Sequence, residues 1–559
     1  MKSHGLWNRW IGSLALGCAC ALLVACGGGG DAPAASPPAV TPPPAVTPPP
    51  AVTPPPVVTP PAVTPPAVSP PAAAIPVATL RGSVSDAASG AGIAGVQVSA
   101  GGQTTLTVAS GAFTLPVGTG TLIVSFNKAG YAEQTKVNSD LNTAGDSSFV
   151  NATMLAFAQS TTLAGTAAQT VTVAGSTAAV ALPADGLRRS DGSAAQGAIT
   201  VNLTPINPAA NINTMPGSLV TLVGGVATPI ESFGALNVTI SDAAGARLNL
   251  RSGQTASIRI PAVSRGAALP ATIPLFHFNT TTGQWVQEGT ATLVGSGATA
   301  YYQGTVTHFS TWNADRVSET VFINSCVVNA SGTAVVGARV SSEGIDYIGN
   351  SSAISDAAGK FRIAVKTSSR VALTASANGL VGASVAVNSS SVDQTVTVCL
   401  TLTQAAVTIK LSWGAQPSDL DSHIWVPNTS GTAQQVYFSS RGSLGSTPYV
   451  NLDVDDTSGF GPEYITIGRV ARNSTYRYWV RNYSETRNPG VTTSPARVEL
   501  NIRGALTVFT PPAGETSATN DWYAFDLVTD GSCNIAVTPV NTWATPAAPT
   551  YAGAPVYCN

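Results

Sequence analysis

Charge is scarce in this chain of 559 residues: 10% are Asp, Glu, Lys or Arg, and the formal net charge is −2. No Lys/Arg run is present, so there is no basic field to gather phosphates, and nucleic acid drops out as a partner class. Histidine is rarer still, with four in the chain. No H-E-x-x-H, no G-x-S-x-G elbow and no P-loop occurs, so no catalytic residue is assigned and a non-enzymatic role is expected. A long apolar stripe at helical spacing is also missing, which excludes long amphipathic helices. What remains is rich in Ala, Gly, Ser, Thr and Val. Short alternating apolar stretches sit between Gly, Asn and Asp clusters, the pattern of antiparallel sandwiches. The length suits several domains of roughly 100–150 residues. The expected fold class is all-β, with tandem β-sandwich domains.

The N-terminus reads as an address. Lys2 and Arg9 precede an apolar stretch from Ile11 to Ala25 that ends in Leu23-Val24-Ala25-Cys26. A charged start, a short apolar core and small residues before a cut describe a secretory signal. About 15 apolar residues fall short of the roughly 20 of a spanning helix. Residues 23–26 resemble a bacterial lipobox. That resemblance implies cleavage before Cys26 and lipidation of its thiol and amino group, and several acyl chains anchor stably where one is marginal. Gly27 follows instead of Asp, which by resemblance to Gram-negative lipoproteins implies the outer membrane. Residues 1–25 are thus the expected signal and 26–76 the lipidated Cys and stalk. From about Pro37 to Pro71 the chain repeats Ala-Val-Thr-Pro-Pro-Pro with small variations. Proline fixes φ and lacks an N–H, so an extended polyproline II spacer on the order of 100 Å is expected. A ligand for proline-reading domains is the other use of such a segment.

Residues 77–156 carry Gly82-x-Val84-x-Asp86, Gly95-Val96-x-Val98, Gly111-x-Phe113-x-Leu115 and Gly130-Tyr131. This order resembles the carboxypeptidase regulatory-like domain, which implies a small transthyretin-like sandwich without catalytic residues. Residues 317–404 repeat it more weakly, through Val335-Val336-Gly337-Ala338-Arg339-Val340 and Asp356-Ala357-Ala358-Gly359-Lys360-Phe361. Between them, residues 157–316 carry Met215-Pro216-Gly217, Glu231-Ser232-Phe233-Gly234-Ala235, Pro274-Leu275-Phe276-His277-Phe278 and His308-Phe309-Ser310-Thr311-Trp312-Asn313. That order resembles the extracellular β-rich region of the cartilage intermediate layer protein and astroprincin families. His277 and His308 lie beside large apolar residues, and no Cys or second His stands near either in sequence. They read as hydrogen-bonded structural residues, with metal or acid–base work as the alternative. Glu231 reads as a cap or an ion-pair partner in a turn.

Of seven cysteines, Cys18 and Cys20 leave with the signal and Cys26 takes the lipid. The remaining four allow three pairings, and none has C-x-x-C spacing. An oxidising envelope favours disulfides. Cys326 falls in the first expected strand of the second regulatory-like sandwich and Cys399 in its last, so Cys326–Cys399 is expected. Cys533–Cys558 would staple the Pro-rich tail.

The strongest candidate site lies in residues 405–559. Asp419-Leu420-Asp421-Ser422-His423 would place Asp419, Asp421 and His423 on one face of an extended strand. Asp453-Val454-Asp455-Asp456 and Gly459-Phe460-Gly461-Pro462-Glu463 follow as a turn. Carboxylates converging from a strand and a turn suit a hard cation such as calcium. Turn capping by the same residues is the bland alternative, and His423 admits a transition metal. The spacing is not an EF-hand, because position six after Asp453 is Ser458 where Gly is required. Ser412-Trp413, the acidic strand and the Gly-Phe-Gly-Pro-Glu turn resemble the YfaP-type family of envelope proteins. Nine of 13 Tyr and five of nine Trp follow residue 404. Trp479, flanked by Arg477 and Arg481, is a candidate for stacking on a sugar if exposed; a core position is the alternative. The expected function is a lipid-anchored display of non-catalytic modules that bind a surface carbohydrate or an envelope protein. A calcium-assisted hydrolase or accessory subunit acting on envelope polymers is the alternative.

Overall fold

The alternation of apolar and polar residues becomes two-faced strands. The computed structural model describes residues 77–378, 380–403, 407–515 and 519–558. Cys26, the signal segment and the stalk lie outside them. Among the described residues there are strands, two short 3-10 turns and no α-helix. The chain is all-β, arranged as successive sandwich-like units.

Strand Ala112–Val117 illustrates the pattern: Phe113, Leu115 and Val117 are buried and the residues between them exposed. They pack with Leu80, Val84, Val98, Val124 and Phe126 between two four-stranded sheets. Gly82 in the central strand Ala78–Asp86 must lack a side chain, since a Cβ there would lie 2.0 Å from the Val150 carbonyl oxygen. The middle region forms one 13-stranded sheet that closes over Val201, Leu203, Phe233, Ile258, Leu275, Tyr302 and Trp312. Glu231 lies within strand Val226–Asp242, not in a turn, and is 2% exposed. Arg316 approaches it at 2.6 Å and Lys366 of the next unit at 3.0 Å. Removing both partners would leave a buried carboxylate uncompensated, at a cost of about 3–5 kcal/mol.

In the third unit, strand Thr320–Asn329 runs parallel to Leu400–Thr403, with Val327 opposite Leu400. First and last strands are therefore neighbours, and Cys326 and Cys399 are bonded with Cα atoms 4.5 Å apart. Cys533 and Cys558 are bonded at a Cα separation of 6.1 Å.

The C-terminal unit packs a six-stranded sheet on a five-stranded one. Its core holds the fully buried Trp413, Tyr476, Tyr478, Trp522 and Phe525. The two tyrosine hydroxyls are satisfied: the Ala471 N–H donates to Tyr476, and Ser422 Oγ lies 2.9 Å from the Tyr478 hydroxyl. The Trp522 N–H donates to Asn541 Oδ1, while the Trp413 N–H is buried without a partner, so the aromatic interior pairs most but not all of its polar ends.

Candidate metal centre

Strand Leu420–Pro427 turns Leu420, Ile424 and Val426 into the core. Asp421 and His423 take the opposite face, where His423 Nε2 is 3.8 Å from Asp421 Oδ2. One edge of this strand pairs with Thr475–Asn482 along most of its length. On the other edge, Ala433–Val436 pairs only from Ile424 onward. The freed N–H of Ser422 is taken by Glu463 Oε2 at 2.6 Å, a carboxylate standing where a strand would otherwise pair. Glu463 opens strand Glu463–Ile467, paired with Leu411, and so supplies its oxygens from a strand and not from the expected turn.

The result is a convergence. Asp421, Asp455 and Glu463 each place one ligand oxygen within 4.8 Å of the others. Asp421 Oδ2, Asp455 Oδ1, Glu463 Oε1 and the nearby Asp419 Oδ1 are buried without a hydrogen-bond partner. Asp421 is 2% exposed and Glu463 fully buried. Burial pushes the Glu463 carboxyl well above the ordinary range, and the charges of Asp421 and Asp455 add to this against the Ser422 N–H. Asp419 precedes the strand and is raised to about 7, by burial first and then by Asp421, Asp455 and Asp456. Orphaned buried carboxylates are costly unless something compensates them. Calcium binds oxygens at about 2.3–2.6 Å, so oxygens sharing an ion lie within roughly 5 Å of one another. The donor set fits a hard cation.

Other sequence candidates sit elsewhere. A bulge between Leu452 and Val454 turns Asp453 aside. It accepts from Thr466 Oγ1 at 2.5 Å, Asn451 Nδ2 at 2.8 Å and the Ser384 N–H at 3.1 Å. Asp456 is held by Arg370 at 3.0 Å and by Ser458 Oγ at 3.0 Å. Both carboxylates are engaged, so the seven-residue ligand set contracts. His423 stacks between Tyr437 and Trp479 at centroid distances of 5.3 and 5.0 Å. Its Nδ1 meets Gln435 Nε2. His423 Nε2 is buried without a hydrogen-bond partner, 3.8 Å from Asp421 Oδ2, and His423 is not among the residues whose ligand atoms converge.

Trp479 is 2% exposed and offers no free face, contrary to the stacking expectation. The C-terminal tail covers this sheet: Arg477 donates to the Ala547 carbonyl and Trp425 to that of Pro546. Among the described residues of this unit, Phe438 and Tyr483 are the most exposed rings, at 38% and 55%, and their centroids lie 5.4 Å apart. Phe438 also packs against Tyr437, next to His423. The aromatic enrichment after residue 404 signalled such rings but not which are exposed.

Two residues read as separate structural histidines come together instead. His277 and His308 have ring centroids 4.5 Å apart, and Glu288 lies beside both. They stand 31 positions apart, and strand pairing alone unites them.

No family model matches the chain, and no curated protein does. Among solved structures it is similar to an unknown-function protein, SAV2460, at 20% identity over 25% of this chain and 92% of that one, with a TM-score of 0.20. It is also similar to BcpA, the major pilin subunit of Bacillus cereus, at 10% identity over 58% of this chain and 99% of that one, with a TM-score of 0.13. A third is the Bacillus anthracis TIE protein, at 10% identity over 58% of this chain and 50% of that one, with a TM-score of 0.13. Likenesses this weak carry no argument about function, which rests on the site itself.

Proposed function

We propose that this chain is a cell-envelope display protein, anchored in the outer membrane through lipid on Cys26 and raised on its Pro-rich stalk. Its C-terminal sandwich is a calcium-dependent, non-catalytic binding module for a surface carbohydrate or an envelope protein. The observation that supports this reading is the convergence of unpartnered, buried oxygens from Asp421, Asp455 and Glu463, with Asp419 beside them. Calcium would neutralise a cluster that the fold otherwise leaves repelling. The exposed Phe438 and Tyr483 supply apolar ring faces near the cluster, of the kind on which sugar rings stack.

The test is thermal unfolding of the purified, chelator-treated chain with and without millimolar calcium. The C-terminal transition should rise with calcium, and Asp421→Ala should remove the rise. Equal melting temperatures in both conditions would reduce these carboxylates to structural groups. A second reading, the calcium-assisted hydrolase, is favoured by one observation: Asp419, only partly buried, is raised to about 7, a value suited to general acid–base work. Product release from envelope polysaccharide that Asp419→Asn abolishes would establish it; binding without turnover supports the module.

A further inference from the structure

The His277–Glu288–His308 cluster is assembled by the topology of the middle sheet. Phe276 and Phe278 point into the core of strand Thr272–Asn279, so His277 takes the opposite face. His277 is opposite Val286 in the antiparallel pairing with Gln284–Val294. Glu288 is two residues further along that strand and shares the face of Val286, diagonal to His277. On the other side, His277 is opposite Trp312 of strand Thr311–Val317. Trp312 Nε1 donates to the His308 carbonyl at 3.1 Å, which folds the preceding loop back over the sheet. The buried indole supports both imidazoles, with centroids 5.5 Å from His277 and 4.9 Å from His308.

The spacing within the cluster is informative. Glu288 Oε2 lies 3.7 Å from His277 Nε2 and 3.5 Å from His308 Nε2. These separations are long for direct hydrogen bonds. One carboxylate oxygen instead stands about equally far from two imidazole nitrogens. Zinc binds His nitrogen and carboxylate oxygen at about 2.0–2.2 Å, which places ligand atoms of a tetrahedron roughly 3.3–3.5 Å apart. The two distances from Glu288 lie within a few tenths of an ångström of that spacing, and one ligand atom from each of the three residues lies within 4.8 Å of the others. The Thr307 hydroxyl donates to Glu288 Oε1, leaving Oε2 to face the histidines. Such outer partners orient metal ligands. Burial and the neighbouring His308 both lower the His277 pKa, against the Glu288 charge, and a neutral imidazole is the ligand form. The side chains keep 16%, 29% and 38% of their surface exposed, so an approach from solvent is open.

We propose that His277, Glu288 and His308 form a three-ligand site for a borderline divalent transition metal of the zinc class, with its fourth position open to water or an exogenous donor. A donor set of two nitrogens and one oxygen disfavours calcium and magnesium, which take oxygen donors. The site is independent of the acidic cluster, on a different sandwich with different donors.

The experiment uses the purified, untagged full chain, chelator-treated, titrated with cobalt(II) and then zinc. Cobalt should bind at one equivalent with the intense visible absorption of tetrahedral coordination, and zinc should displace it. His277→Ala and His308→Ala should each weaken binding at least 100-fold and Glu288→Gln at least 10-fold. A spectrum that stays octahedral without saturating, or binding unaltered in His308→Ala, overturns the site. Should the histidine variants fail to fold, wild-type protein answers by diethyl pyrocarbonate labelling. Zinc should protect His277 and His308 from modification, and equal labelling with and without zinc overturns the proposal.

Discussion

The acidic cluster of the C-terminal sandwich and the histidine cluster of the middle sheet are built from opposite materials. The first gathers carboxylate oxygens in a buried corner, where Glu463 fills the pairing edge left vacant beside Ser422. The second sets two imidazoles and one carboxylate on a sheet face over the indole of Trp312. Burial works against charge in one and keeps an imidazole neutral in the other. A hard cation relieves the first, where one oxygen each of Asp421, Asp455 and Glu463 is buried without a partner; a borderline metal suits the second, whose donors are two imidazoles and one carboxylate. Local electrostatic need therefore distinguishes the two better than the presence of acidic residues does.

The sharpest way to break this comparison is to remove the support of one cluster and watch the other. Trp312→Ala deletes a fully buried ring and should destabilise the middle sheet by about 3–5 kcal/mol. Cobalt binding should weaken with it, while the calcium response of the C-terminal sandwich persists. Loss of both responses together, measured by titration of the same variant, would mean that the two sites are one cooperative unit.

Glu463→Gln sharpens the other side. The amide oxygen can still accept from Ser422, so the calcium-free protein should melt at or above the wild-type temperature. The calcium increment, about 2.7 kcal/mol at a 100-fold excess over the dissociation constant, should vanish. A structural cap would instead lose stability equally with and without calcium. Differential scanning calorimetry of the four samples decides.

Thr307→Val tests the outer partner of Glu288 and should weaken cobalt binding about 10-fold, roughly 1.4 kcal/mol, by competition titration. An unchanged affinity would show that Glu288 needs no orienting group.

The smallest effect is on pH dependence. Asp419 is raised to about 7 in the folded chain, against about 3.9 when unfolded. The folded state thus holds this proton more tightly. The stability it confers is complete below about pH 4 and lost as pH rises through about 7. Chelator-treated protein should decline in melting temperature across that window, and saturating calcium should flatten the decline. A calcium-free profile without slope would remove the repulsion on which the acidic cluster rests.

Much of the acidic cluster was legible because its residues are close in sequence. Asp421 and His423 share a strand face as the period of two requires. Asp453 misled because a one-residue bulge, invisible in composition, turned it toward Thr466 and Ser384. Trp479 misled because the face it occupies is outward by strand alternation yet covered by the C-terminal tail, a tertiary contact with no local signal. The histidine cluster was hidden for the converse reason. His277 and His308 were both visible, but strand Thr272–Asn279 had to pair on both sides before Glu288 and His308 reached His277. The all-β class followed from alternation and turn residues alone, since those are local properties of each strand.

The central claim is that the buried oxygens of Asp421, Asp455 and Glu463 await a cation. Calcium titration of the chelator-treated full chain by isothermal calorimetry measures this directly, with Glu463→Gln as its partner. Saturable binding at one equivalent that the substitution removes is the predicted result. Heats no larger than dilution in the wild type, or binding unchanged in Glu463→Gln, would contradict it.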